Sequence, residues 1–180
     1  MPIPFDWGVT SEERSISFPC DRFADQHYAK YYRGVSVAAA PETVFRWLCQ
    51  LRVALYSYDW ISHPGRQSPQ TLIPGLEDLA VGQTMMLFFE LVDFERNRQI
   101  TVRHKPNTIG ARVFGDVLAS YLIVPQARNS CRLLVKAAIK YPAGLIGFFT
   151  RALLPWGDLL MMRRQLHNLK HLSEKTNLGV

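Results

Sequence analysis

The sharpest pattern in the chain is an alternation. In CRLLVKAAIKY (131–141), Leu133, Val135, Ala137, Ile139 and Tyr141 share one phase, and Arg132, Lys136 and Lys140 share the other. A period of two with one apolar phase predicts an antiparallel strand with one buried side. The β-branched and aromatic runs YYRGVSVA (31–38), TMMLFFELVDFER (84–96), QITVRHK (99–105), ARVFGD (111–116) and VLASYLIVPQ (117–126) predict further strands, separated by Asn, Gly, Pro and Ser clusters. A different period appears in AAPETVFRWLCQLR (39–52). There Val44, Trp47, Leu48 and Leu51 recur at helical spacing, behind Pro41 and Glu42, which suit a first helical turn. A second short helix or turn is expected over ALYSYDWI (54–61), then a Pro/Gly-rich loop from His63 to about Gly82. Leu159, Met162, Leu166, Leu169 and Leu172 predict a long C-terminal helix, opened or kinked by Pro155 and capped by Asp158. Strand, short helices, consecutive strands and a long final helix make an α+β architecture, with the sheet curved around that helix.

Residues 1–30 lack periodicity and are rich in turn formers, yet carry Phe5, Trp7, Phe18 and Phe23. The segment is therefore expected to be an extension anchored on a body spanning 31–180. In TMMLFFELVDF both phases are apolar: Met86, Phe88 and Val92 on one, Met85, Leu87, Phe89 and Leu91 on the other. The second face of such a strand needs a cover, either the N-terminal extension or the partner subunit of a homodimer.

Composition narrows the class. A chain of 180 residues, 48% hydrophobic and 20% charged, suits one globular domain with a substantial core. The net charge of +6 is spread along the chain, which argues against a nucleic-acid partner. Arg163, Arg164, Lys170 and Lys175 read as the outer face of the terminal helix. The longest apolar stretch, Ala143 to Leu154, is broken by Arg151 and followed by Pro155, short of the ~18 residues that span a bilayer. The opening MPIPFDWG has neither the basic start nor the apolar core of a signal peptide. Cys20, Cys49 and Cys131 match no zinc spacing, and Cys49 and Cys131 fall in apolar patterns as buried thiols; a reducing, cytoplasmic setting is the expectation.

The element order resembles that of the helix-grip fold, and the local sequence agrees. VAAAPETVFRWL (37–48) is similar to the first strand and first helix of the SRPBCC/START/Bet v 1-like superfamily, which includes polyketide cyclases/dehydrases and lipid-transport proteins. Tyr56-Ser57-Tyr58-Asp59-Trp60, with Gly65-Arg66 and Ser68-Pro69 behind it, is similar to an uncharacterised bacterial branch. The resemblance covers about residues 31–175. It implies a curved antiparallel sheet wrapped around a long C-terminal helix, with two short helices after the first strand, and an apolar cavity between sheet and helix.

Several residues could carry chemistry. Asp59 among Tyr56, Tyr58 and Trp60 needs a neutralising cation, for which Arg66 is placed; the pair either pins the loop or forms a polar pole at the cavity mouth. His104 shares the buried phase with Ile100 and Val102, as a core histidine or as a general acid or base. Glu90 sits in a greasy strand and calls for a partner such as Arg112 or Arg132. Phe88, Tyr121 and Met162 complete the expected ligand contacts, with methionine suited to irregular ligands. GLIGFFTRALLPWG (144–157) is a short buried helix, a gate over the cavity, or a surface that touches lipid through its apolar side chains with Arg151 at the headgroups. His167 and His171 stand at i, i+4 without a third ligand. No motif calls for a metal, nucleotide or flavin cofactor.

Three functions follow as expectations. The first is binding or transport of a small hydrophobic ligand, such as a lipid or polyketide. The second is a cyclase or dehydratase, a lyase or isomerase that uses His104 or Asp59 as base and a tyrosine such as Tyr58 as acid. The third is a protein-interaction module without a ligand. Fold alone does not choose among them.

Overall fold

A computed structural model describes residues 3–57 and 68–178. Its strands are β1 (Asp6–Trp7), β2 (Ala29–Val37), β3 (Thr84–Met85), β4 (Phe89–Glu95), β5 (Gln99–His104), β6 (Asp116–Ala127) and β7 (Ser130–Lys140). They form one curved seven-stranded sheet in the order β1-β2-β7-β6-β5-β4-β3. Every neighbouring pair is antiparallel except β1 with β2. The helices are α1 (Ser11–Ser15), α2 (Pro41–Cys49), α3 (Ile109–Phe114) and α4 (Gly144–Asn177), with 3-10 turns at Pro19–Arg22 and Gln50–Arg52. This is the helix-grip fold: α2 and its 3-10 turn follow the first long strand, and α4 lies across the concave face of the sheet.

The core sits in that grip. Val44, Phe45, Trp47 and Leu48 of α2 are buried with Val35, Val37, Leu133 and Val135 of the sheet and Leu166, Leu169 and Leu172 of α4. Leu172 and Thr176 are one turn apart, and the Trp47 indole N–H donates to the Thr176 hydroxyl at 3.0 Å, so α2 and α4 are joined by a polar contact beside the apolar one. Removing a leucine such as Leu166 would cost about 2–5 kcal/mol by cavity formation.

β7 buries more than its alternation predicts. Leu134, Lys136 and Ala138 face away from α4, yet they are covered too. Phe18 and Cys20 pack there with Leu118, Leu122, Leu134 and Ala138. The Cys20 amide donates to the Ser120 hydroxyl at 2.8 Å. Lys136 keeps its charge inside this layer by an ion pair with Asp21 at 2.5 Å and by lying over the Phe18 and Tyr32 rings. The N-terminal segment is thus a second layer on the convex face. Cys20, Cys49 and Cys131 are all free and buried.

Three elements differ from the sequence expectation. The run 84–96 is not one long strand; it folds into the β3–β4 hairpin, with positive φ at Met86 (47°) and Leu87 (67°). No glycine marks this turn. It is fixed from outside, because the Met86 amide donates to the Leu51 carbonyl at 2.7 Å and the Met86 side chain is buried. Residues 111–116 are not a strand: Thr108 caps α3 by accepting from the Ala111 amide at 3.1 Å, and Gly115 ends it at φ 84°. Finally, the terminal helix does not begin near Asp158. It starts at Gly144 and runs through Pro155 as one 34-residue helix. Residues 144–157 are its first turns rather than a separate buried helix.

Candidate functional site

The sheet register places four residues in a row across its concave face. Arg33 of β2 pairs with Val135 of β7, Val135 with Tyr121 of β6, and Tyr121 with Ile100 of β5. Over this row α4 presents Asp158, Met162 and Gln165 at i, i+4 and i+7, one helix face. The layer between needs only apolar packing to hold it, yet it carries several polar groups.

Arg33 is 1% exposed, among the largest fully buried side chains. One guanidinium nitrogen donates to Asp158 Oδ2 at 2.7 Å, and the other donates to the carbonyls of Phe5 (2.5 Å) and Tyr32 (2.9 Å). Its Nε is buried without a partner. The Asp158 side chain is 17% exposed. Burial pushes its carboxyl up to about 6, against the opposing pull of the Arg33 charge. The guanidinium also lies 5.5 Å from the Tyr31 ring, and the Tyr31 and Tyr141 hydroxyls bond to each other. Burial, reinforced by that hydroxyl contact, raises the Tyr31 phenol.

The other end of the row is built from Tyr121. Its hydroxyl donates to Gln165 Oε1 at 2.7 Å, and Gln165 Nε2 donates to the Leu55 carbonyl at 2.6 Å. The Met86 and Met162 thioethers lie 3.8 and 3.9 Å from the same hydroxyl. Two adaptable thioethers therefore flank a fixed polar pair, and these side chains fill the space beside Tyr121.

A concavity lies at the end of β5. It is an open cleft of about 500 Å³ lined by Glu90, Arg103, His104, Pro106, Asn107, Ala111, Gly115 and Asp116. Arg103 grips Asp116 through two nitrogens at 3.0 and 2.5 Å, and the Tyr28 hydroxyl donates to Asp116 at 2.6 Å. Burial opposes ionisation of Asp116, but Arg103 and Tyr28 overcome it and hold the carboxyl below its usual value. His104 is buried, its ring edge-to-face with Phe89 at 5.1 Å. Burial lowers its pKa, which favours the neutral imidazole. Nδ1 lies 3.2 Å from the Lys105 carbonyl and 3.3 Å from the Thr108 hydroxyl, and the tautomer with its proton on Nδ1 bonds the carbonyl and has Nε2 as acceptor.

The expected site residues are thus divided. Tyr121 and Met162 meet under α4, Glu90 and His104 meet in the cleft, and Phe88 is half-exposed at the tip of the β3–β4 hairpin. Glu90 takes neither Arg112 nor Arg132 as partner. It faces Arg103 across β4–β5, while Arg132 is held by Glu13 at 2.6 Å, because the N-terminal layer reaches Arg132 first. Tyr58, Asp59 and Arg66 lie outside the described residues, and with them the expected Asp59–Arg66 pair. Arg33, Asp158 and Gln165 were not anticipated. The signal for Arg33 was present: it shares a strand phase with Tyr31, Val35 and Val37.

No protein-family model and no curated protein matches the chain by sequence. Solved structures do match. A protein from Mesorhizobium loti superposes with a TM-score of 0.52 at 11% identity, over 82% of this chain and 98% of that one. A protein from Chromobacterium violaceum superposes at 0.51 and 16% identity, over 81% and 96%. Norcoclaurine synthase from Thalictrum flavum superposes at 0.49 and 12% identity, over 81% and 86%. The first two agree with the element order and sheet topology above: the chain has the helix-grip architecture.

Proposed function

We propose that the protein binds a small, mainly apolar molecule with a polar or anionic end, held between the concave sheet face and α4. The observation that carries this reading is the buried Arg33 with an unpaired Nε, set beside the partly exposed Asp158 under α4. A guanidinium there costs desolvation energy that a structural role does not require. An acceptor on the ligand would take the Nε–H, and the apolar body would lie along Tyr121, Met86 and Met162. Since those side chains fill the seam, entry requires the methionines to change rotamer or α4 to lift.

Native mass spectrometry with a series of medium-chain carboxylic acids and matched uncharged analogues tests this. The double variant Arg33→Met, Asp158→Leu keeps the layer packed and removes the pole. The wild type should retain the acids, and the double variant should bind them about tenfold more weakly, in line with loss of one charge-assisted hydrogen bond. Retention of no apolar molecule by the wild type sinks the reading.

The cleft supports a second reading, proton transfer beside a carbonyl, because burial there favours the neutral form of His104, which has one ring nitrogen able to accept a proton. It predicts that a thioester β-ketone panel is converted by the wild type and not by His104→Gln. Equal conversion by both proteins removes His104 from the chemistry.

A further inference from the structure

α3 and the first half of α4 form one end of the molecule, and this end is apolar on its outside. The two helices are tied together by the Thr150 hydroxyl, which donates to the Val113 carbonyl at 2.8 Å. From this joint, Ile109 (81% exposed), Phe114, Leu145, Phe148 (69% exposed), Phe149 and Leu153 point into solvent. Trp156 and Leu160 continue the stripe along α4 for about 20 Å at 1.5 Å per residue. A contiguous apolar surface of this size marks a contact.

Charge decides what covers it. Residues 105–115 and 141–157 contain no Asp or Glu, while the same two segments carry Lys105, Arg112 and Arg151, with Lys105 donating to the Thr84 hydroxyl and Arg151 lying over the Tyr141 ring. The nearest carboxylates in sequence are committed, Asp116 to Arg103 and Asp158 to Arg33. A two-fold dimer through this face would set the same surface against itself. Its arginines would then meet arginines with no counter-charge. An anionic lipid surface supplies the counter-charge through headgroup phosphates and carboxylates, and an apolar phase for the phenylalanines.

The helix itself bears on the mode of contact. α4 is long and apolar enough to cross a membrane by length and composition. Its inner face, however, is committed to the fold: Gly147, Thr150, Pro155 and Leu159 are buried, and a Cβ at Gly147 would collide with the Pro142 carbonyl. A spanning helix would have to leave the sheet, whereas a helix lying in the interface keeps both faces satisfied.

We propose that the α3–α4 end docks on an anionic membrane surface, with Phe148 and Phe149 inserted below the headgroups and Arg112 and Arg151 at phosphate level. This surface is separate from the seam under α4, and the assay needs no bound ligand. Flotation with vesicles of phosphatidylcholine alone, and of phosphatidylcholine with phosphatidylserine, reads it out. The wild type should partition onto the serine-containing vesicles at least about tenfold more strongly, with the difference lost at high salt. Phe148→Ser with Phe149→Ser, and separately Arg112→Glu with Arg151→Glu, should each reduce partitioning about tenfold or more while the melting temperature holds. Failure of the wild type to bind anionic vesicles overturns the proposal, and so does binding that both variants retain. A stable dimer in solution that the phenylalanine variant dissociates would also overturn it, because a second copy would then be the occupant. Retention of carboxylic acids in the seam has no bearing on these outcomes.

Discussion

Arg33 on β2 and Asp158 on α4 meet at 2.7 Å, an ion pair between the first long strand and the middle of the last helix, 125 positions apart. The guanidinium is shut off from water, while the carboxylate keeps a narrow opening to it. This pair ties α4 to the sheet at the point where the interior is most polar.

Breaking one side of a buried pair leaves an uncompensated charge, whereas replacing both partners by apolar groups removes the desolvation cost as well. Asp158→Ala should therefore lower stability by about 3–5 kcal/mol, and Arg33→Met, Asp158→Leu should fall close to the wild type or above it. Urea denaturation monitored by tryptophan fluorescence checks the order of the three proteins. A double variant as unstable as Asp158→Ala would mean that the pair holds the fold rather than serving a ligand.

Two buried titratable groups make opposite contributions to the pH dependence of stability. His104 has a lowered pKa in the folded protein, so the unfolded chain takes up the proton first and stability falls as the pH drops below about 6.5. Asp158 is raised to about 6 from 3.8, so the folded protein holds its proton more tightly and stability falls as the pH rises between those values. The difference in melting temperature between the wild type and His104→Gln should shrink as the pH is lowered from 7 to 5, as the wild type alone loses the histidine's contribution. Between Asp158→Asn and the wild type, the gap should change in the opposite sense over pH 4 to 6. Differential scanning fluorimetry across that range measures both. Parallel curves for wild type and His104→Gln would show that His104 is solvated.

What the sequence revealed depended on how local each signal was. The alternation of β7 and the helical stripe of α2 are carried by neighbours in the chain, and both elements stand where their periods put them. The β3–β4 turn was hidden because its left-handed residues are Met86 and Leu87, held by a bond from Leu51 and not by turn chemistry. α3 was hidden because Val113 and Phe114 favour strands, while its cap, Thr108, looks like any loop threonine. Pro155 looked like a boundary. It lies inside α4 and is buried, so packing against the sheet outweighs the backbone bond it removes. Tyr121 and Met162 lie together under α4 and His104 and Glu90 in the cleft, a separation that no local pattern in the chain encodes. Asp158 carries the local signal of a helix cap, and its partner, Arg33, is remote in sequence.

Gly110 is the floor under His104. A Cβ there would sit 2.7 Å from Nε2 and 2.8 Å from the neighbouring ring carbon, closer than real contacts allow. Its backbone is ordinary helix, so space alone excludes a side chain. Gly110→Ala should push the ring or α3 outward and let water reach Nε2, moving the His104 pKa up toward its usual value. Histidine resonances followed by NMR through a pH titration give that pKa directly. An unmoved titration in a folded Gly110→Ala protein would mean that the ring has room the structure does not show.

The Tyr121–Gln165–Leu55 chain should behave as a unit, since each polar group in it is buried and satisfied by the next. Tyr121→Phe removes one donor and leaves Gln165 Oε1 without that bond, a loss of about 1–3 kcal/mol. Gln165→Leu strands the Tyr121 hydroxyl instead and also frees the Leu55 carbonyl, so it should cost more. Combining the two substitutions replaces both partners by apolar groups and should cost less than the sum of the single changes, because the second removes a group the first left stranded. A double-mutant cycle by urea denaturation measures the coupling. If Tyr121, Met86 and Met162 also line the path of an apolar guest, Tyr121→Phe should leave the binding of uncharged apolar molecules intact, since the ring that would touch them is kept. Strictly additive losses would mean that the two groups are not coupled, and a guest lost with the hydroxyl alone would place the ligand's polar end at Tyr121 and take that role from Arg33.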